Sequence, residues 1–97
     1  MKEQFFVYIL AKARNSTFYV GVTSDLAKRT WEHKNGIADG FTKKHGIKTL
    51  VYYEIFGDPE NAIKREKQLK RWHRTWKMRI IEEMNPNWED LYEKVCI

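Results

Sequence analysis

Gln4-Phe5-Phe6-Val7-Tyr8-Ile9-Leu10-Ala11, followed after a five-residue turn by Thr17-Phe18-Tyr19-Val20-Gly21-Val22, is the stretch on which the fold turns. The first run is too short for a buried helix and rich in β formers, so it reads as a central strand covered on both faces. Lys12 to Ser16, with Asn15 in the turn, joins it to the second run, and the two make a hairpin. That hairpin brings Tyr8 and Tyr19 into one sheet.

Beyond the hairpin, Thr23-Ser24-Asp25 offers N-caps and Asn35-Gly36 a C-cap, predicting a helix from about Asp25 to Lys34. Its wheel puts Leu26, Ala27, Thr30 and Trp31 on the inward arc, with Arg29 and His33 one turn apart at its edge. Residues 36–48, with glycines at Gly36, Gly40 and Gly46, read as a flexible basic loop, and Thr49 to Phe56 as a third strand. Asp58-Pro59 then supplies an N-cap and a proline at the first helical position, starting a helix that runs to about Trp72. On that helix Ala62, Ile63 and Leu69 face inward with Glu66 among them. A further helix is expected over Thr75 to Met84, and a short one from Asn87 with Trp88, Leu91, Tyr92 and Val95 on its inner side.

At 97 residues the chain supports one core, so one domain over 1–97 is expected. Apolar residues at 42% and aromatics at 14% exclude a disordered chain, and no apolar run approaches the roughly 20 residues that span a bilayer. The first residues pass straight into the strand without a signal-peptide pattern, which predicts a cytoplasmic protein. The one cysteine, Cys96, excludes an internal disulfide, and no Cys/His cluster has zinc spacing. A metal here would be held by oxygen, which suits Mg²⁺ or Mn²⁺.

The net charge of +5 is concentrated. Residues 41–77 carry 10 Lys/Arg against 4 Asp/Glu, whereas residues 78–97 carry 2 against 5. A basic middle segment is the footprint of phosphate-backbone binding, and Lys43, Lys44, Lys64, Lys67, Lys70, Arg71, Arg74 and Lys77 are its candidates. His45 and His73 read as surface or capping residues, Glu54 as structural, and the four tryptophans as packing groups rather than base-stacking platforms.

Cutting a phosphodiester requires an activated water, stabilisation of added negative charge and help for the departing oxygen. Tyr8, Tyr19, Arg29, His33 and Glu66 carry those capacities. Glu66 on an apolar helix face costs several kcal/mol unless it is paired or binds metal, so the alternatives are a metal ligand or an ion pair with Lys70 or Arg29.

These five positions, in this order, resemble the GIY-YIG nuclease superfamily. Val7-Tyr8-Ile9 matches the GIY strand, with valine for the first glycine, and Tyr19-Val20-Gly21 matches the YIG strand. Arg29 matches the helical arginine, His33 the following histidine-or-tyrosine position, and Glu66 the metal-binding glutamate. Gly40-Phe41-Thr42-Lys43-Lys44, Leu50-Val51-Tyr52-Tyr53-Glu54 and Asn85-Pro86-Asn87-Trp88 are similar to the small single-domain bacterial members, in which a tyrosine is expected at His45. The resemblance implies an α+β fold, β-β-α-β-α with extra C-terminal helices, around a three-stranded antiparallel sheet flanked by helices. It also implies an endonuclease acting on DNA, branched or damaged DNA included, or a nucleic-acid-binding module that has lost turnover. One Mg²⁺ or Mn²⁺ on Glu66, a tyrosine helped by His33 at the water and Arg29 on the phosphate are the implied roles. Single-domain members lack a recognition domain, so a targeting protein partner is expected, while the oligomeric state is left open.

Overall fold

The computed structural model describes residues 3–14, 16–38 and 40–96, so the Asn15 turn position lies outside the described residues. Its elements are β1 (Phe5–Ala11), β2 (Phe18–Thr23), α1 (Leu26–Lys34), α2 (Gly40–His45), β3 (Thr49–Phe56), α3 (Pro59–Arg71), α4 (Arg74–Met84) and α5 (Tyr92–Val95). The strands form one antiparallel sheet in the order β2-β1-β3, giving the expected α+β architecture. β1 is central, and Val7 to Ala11 are buried without a break, as a strand covered on both faces must be.

Alternation along β1 divides the core in two. Val7, Ile9 and Ala11 join Val20, Ala62, Leu69 and Ile81 under α3 and α4, whereas Tyr8 and Leu10 join Leu26, Ile47, Leu50 and Leu91 on the α1 side. The β1–β3 register slips between Ile9 and Leu10, where Tyr52 and Leu50 are their partners and Val51 is the extra residue.

Each helix that positions the site is bounded by its own sequence. Asp25 caps α1 by accepting from the Lys28 N–H, and the helix ends in a Schellman motif: Gly36 N–H bonds the His33 carbonyl at 3.2 Å and Ile37 N–H the Glu32 carbonyl at 2.9 Å. Gly36 takes φ +67°, which a side chain would resist. Asp58 caps α3 by accepting from the Asn61 N–H, with Pro59 beginning the helix.

Four expectations are corrected. Trp31 is 48% exposed and His33 takes the inward position with Leu26 and Thr30. A histidine can replace a tryptophan there because both its nitrogens are hydrogen-bonded. Residues 36–48 are not all loop, since Gly40–His45 form α2, anchored by buried Thr42 and followed by buried Ile47. On α3, Ala62 and Leu69 are buried while Ile63 is exposed, so the inward stripe is narrower than its wheel. The last helix begins at Tyr92 rather than Asn87, because residues 85–91 are drawn along β3 instead. Asn85 Nδ2 donates to the Val51 and Glu89 carbonyls, and the Leu91 N–H to the Leu50 carbonyl at 2.8 Å. Trp88, at φ +53°, turns the chain there and stacks on Phe18. Among the described residues no helix is long and apolar enough to cross a membrane.

Candidate active site

Tyr8 projects from the middle of β1 toward α1 and is 1% exposed. Its neighbour across the β1–β2 ladder is Gly21, and that pairing explains the glycine. A Cβ at position 21 would lie 2.5 Å from Tyr8 Cζ and Oη and 2.9 Å from Cε1. The tyrosine ring therefore occupies the space that any other residue's side chain would need.

The buried hydroxyl of Tyr8 lies 2.9 Å from His33 Nε2, and His33 is wholly buried. The other imidazole nitrogen, Nδ1, is 3.0 Å from the hydroxyl of Thr42, itself 1% exposed. Tyr19, on the edge strand β2 and half-buried, completes the aromatic group, its ring centroid 6.3 Å from that of Tyr8 and 5.1 Å from that of His33.

Arg29, one turn before His33, reaches the same group. Its partial burial works against the charge, but a hydrogen bond to Tyr8, attraction to Tyr8 and Tyr19 and a hydrogen bond to Glu32 outweigh this, so its pKa is raised. The Glu32 contact is 3.4 Å. A permanent cation thus lies beside two phenols at a partly open surface, an arrangement able to receive a phosphate.

Glu66 enters from elsewhere. α3 packs against β1 and β2 with the core cluster of Val7, Ile9 and Ala11, on the face of the sheet opposite the one that carries Tyr8 and Tyr19. Its side chain is 12% exposed and its Oε2 is 2.7 Å from Lys70 Nζ, the ion-pair alternative in the sequence. Among the described residues no three His, Cys, Asp or Glu side chains cluster as a metal cage. A single carboxylate still fits Mg²⁺, which keeps several waters and is commonly bound by one or two carboxylates and substrate phosphates. Lys70, 53% exposed on its side chain, is a cation already drawn to that carboxylate, and a divalent ion would compete with it.

The candidate backbone-binding cations divide. Lys43 and Lys44 are exposed on α2, and Lys64, Lys67, Lys70 and Arg71 are exposed on α3. Lys64, Arg65, Lys67 and Arg71 line an open depression of about 650 Å³ walled by Phe56 and Trp72. It lies away from the tyrosines, and for an extended polymer substrate the converging side chains locate the chemistry better than depth does. Arg74 is engaged internally, donating to the Ser16 carbonyl and lying over the Phe18 ring. Lys77 is half-buried, and burial together with the Arg74 charge pushes its pKa down.

The other assignments are structural. His73 caps α4 by accepting from the Thr75 N–H, and His45 is exposed beside Phe41. Glu54 accepts from Tyr52 and, through both oxygens, from Arg65, whose guanidinium lies over Trp72. Burial and Glu54 drive the Tyr52 pKa up. Trp31 and Trp76 are exposed, against the packing role expected for them, while Trp72 and Trp88 are partly buried.

Thr42 was invisible in the sequence as a site residue, because it lies nine positions past His33 in a segment without periodicity. Tyr8's dependence on Gly21 was equally hidden, since only the strand register sets one against the other.

A family model described as the GIY-YIG catalytic domain matches residues 4–94. A UPF0213 protein of Clostridium perfringens is 36% identical over 89 residues, covering 92% of this chain and 94% of its own length. One from Bacillus pumilus is 33% identical over 92 residues, covering 95% and 93%. Among solved structures, the solution NMR structure of a UPF0213 protein from Bacillus halodurans aligns with a TM-score of 0.56 and 26% identity, covering 93% of this chain and 95% of that one.

Proposed function

Because this chain belongs to the GIY-YIG family, we propose that it is a metal-dependent endonuclease that hydrolyses phosphodiester bonds in DNA, branched or damaged DNA included. The observation that carries this reading is the convergence of Tyr8, Tyr19, His33 and Arg29 around the buried 2.9 Å contact between the Tyr8 hydroxyl and His33. A merely structural tyrosine needs one partner for its hydroxyl and no arginine beside it.

Tyr8 is sealed, so the half-buried Tyr19 is the phenol that meets the attacking water and orients or deprotonates it. Tyr8 and His33 form the rigid backing against which Tyr19 and Arg29 are held. Arg29 binds the scissile phosphate and the charge that develops on it. Glu66 would hold one Mg²⁺ or Mn²⁺, which supplies charge neutralisation at the phosphate and at the leaving oxygen. Exposed Lys43, Lys44, Lys64, Lys67, Lys70 and Arg71 bind the flanking backbone, whereas Arg74 and Lys77 contribute through the field they add. A partner protein would direct the enzyme to its target, as the resemblance to single-domain members implies.

A binding module without turnover is the second reading, favoured by the engagement of Glu66 with Lys70. Cleavage of supercoiled plasmid and branched DNA in Mg²⁺ or Mn²⁺ decides between them, with Glu66→Ala and Arg29→Ala in parallel. Loss of cutting in both variants, with folding unchanged, is expected. Salt-sensitive binding with no cutting by the unaltered protein would leave the module.

A further inference from the structure

We infer that the depression between α3 and the end of β3 takes an unpaired nucleotide of the substrate, with its base against Trp72 and Phe56 and its phosphates on Lys64, Lys67 and Arg71. The inference rests on the reading of this chain as a protein that handles nucleic acid, and not on its cutting.

The depression, of about 650 Å³, combines two chemistries. One wall is aromatic, made by Phe56 at the end of β3 and Trp72 at the end of α3, both partly buried. The rim is cationic: Lys64, Lys67 and Arg71 are exposed, and among the described residues none of the three makes an ion pair. A paired duplex keeps its bases stacked inside and offers a flat protein surface its phosphates, which call for cations but not for an aromatic wall. An unpaired nucleotide offers a planar π face and a phosphate together, and stacking on aromatic side chains beside a basic track is how single strands are held.

The wall is also held in place. Arg65 donates to the two oxygens of Glu54 from Nε and Nη2, at 3.0 Å each, and to Gln68 Oε1 from Nη1 at 2.6 Å. These bonds fix its guanidinium over the Trp72 ring, 4.9 Å from the centroid. Arg65 thus lines the depression beside Trp72 as a rigid planar group, and guanidinium planes stack on bases as aromatic rings do. Position links the depression to the reaction. At 100° per residue, Glu66 lies on one side of the buried stripe of Ala62 and Leu69, and Arg65 and Gln68 lie on the other. Exposed Lys70 and Lys67 stand between them around the outer surface of the helix. A strand crossing α3 passes from the candidate metal carboxylate over these lysines to the depression, which would favour substrates with an unpaired strand beside the cut.

The test is binding by the full chain in EDTA, where no metal-dependent cutting occurs, followed by fluorescence anisotropy. The probes are a blunt DNA duplex and a duplex with a single-stranded flap, matched in number of phosphates, the flap carrying iododeoxyuridine for photo-crosslinking. The flap duplex should bind about tenfold tighter or more, the usual worth of one stacked base. Irradiation should join the iododeoxyuridine to Trp72 or Phe56, located by mass spectrometry. A folded Trp72→Leu should lose the preference and bind the blunt duplex as before. Equal affinity for the two duplexes, or crosslinks only outside the depression, overturns the inference even if Trp72→Leu does not fold, and so does a folded Trp72→Leu that keeps the preference. Displacement of the flap by polyglutamate as readily as by unlabelled flap would make the depression a seat for an acidic protein segment, which also overturns it. Should the preference and the crosslink appear while no version cuts DNA in Mg²⁺ or Mn²⁺, the nuclease reading fails and the nucleotide site stands.

Discussion

Replacing Gly21 by alanine adds one methyl group to a space that Tyr8 already fills. The new Cβ would begin 2.5 Å from the phenol carbon and oxygen, where ordinary contact starts near 3.4 Å, so roughly an ångström must be found. The ring has no free direction in which to move: it is 1% exposed, with His33 and Tyr19 packed against it on the α1 side. Overpacking of this kind costs about 1–3 kcal/mol. Displacing the hydroxyl also breaks the buried 2.9 Å hydrogen bond to His33, adding about 0.5–1.5 kcal/mol. At about 4–8 °C per kcal/mol for a domain of this size, the melting temperature should drop by about 10 °C or more. Cleavage should fall by about 10²-fold, the usual consequence of moving a catalytic group by an ångström. Thermal unfolding and plasmid cleavage would be measured beside Gly57→Ala, whose added methyl meets nothing within 4 Å. If Gly21→Ala melts with Gly57→Ala and cuts at the unaltered rate, the explanation of that glycine, and with it the placement of Tyr8, is wrong.

Arg29→Ala should leave the melting temperature nearly unchanged, because the side chain is partly exposed, while lowering cleavage by about 10²–10³; equal cleavage would remove Arg29 from the site. Replacing Lys64, Lys67 and Arg71 by glutamine should flatten the dependence of log affinity on log salt by about 0.9 for each phosphate that is no longer neutralised. An unchanged slope would show that the α3 depression does not meet the backbone. The Asp58 carboxyl lies below its ordinary pKa because the Asn61 backbone N–H, then its side-chain amide, donate to the carboxylate. Its contribution is therefore complete above the unfolded carboxyl value of about 4 and is lost as the pH falls through the lower folded value. Asp58→Ala should melt below the unaltered protein at pH 7 and converge with it in acid; a constant gap down to about pH 2 would contradict the cap.

Elements specified by local chemistry were legible. Thr49–Phe56 is a strand in both sequence and structure, and the Asp58-Pro59 start of α3 needs only its own neighbours. The grouping of Tyr8 with Tyr19 follows from a hairpin, and that of Arg29 with His33 from one helical turn. What escaped depends on interactions between distant residues. Hydropathy alone would bury Trp31 before His33; the order reverses because Tyr8 and Thr42, 25 and 9 residues away, satisfy the imidazole. α2 has six residues and no apolar periodicity, so its helix exists through Thr42 and what it packs on. Glu66 was legible as a carboxylate on an apolar face, but its choice between metal and lysine was not, and the structure pairs it with Lys70.

The hydrogen bonds from residues 85–91 to Leu50 and Val51 bear on how the chain survives its own synthesis. β3 lies at the margin of the sheet, and a bare margin of N–H and carbonyl groups is a template for another molecule's strand. Asn85, Asp90 and Leu91 occupy that template at its bulged stretch. They are made after β3, so for the few seconds that separate Phe56 from Leu91 on the ribosome the margin is open. Substitutions at Asn85 should therefore appear first as aggregation during expression, ahead of any loss in the activity of molecules that finish folding.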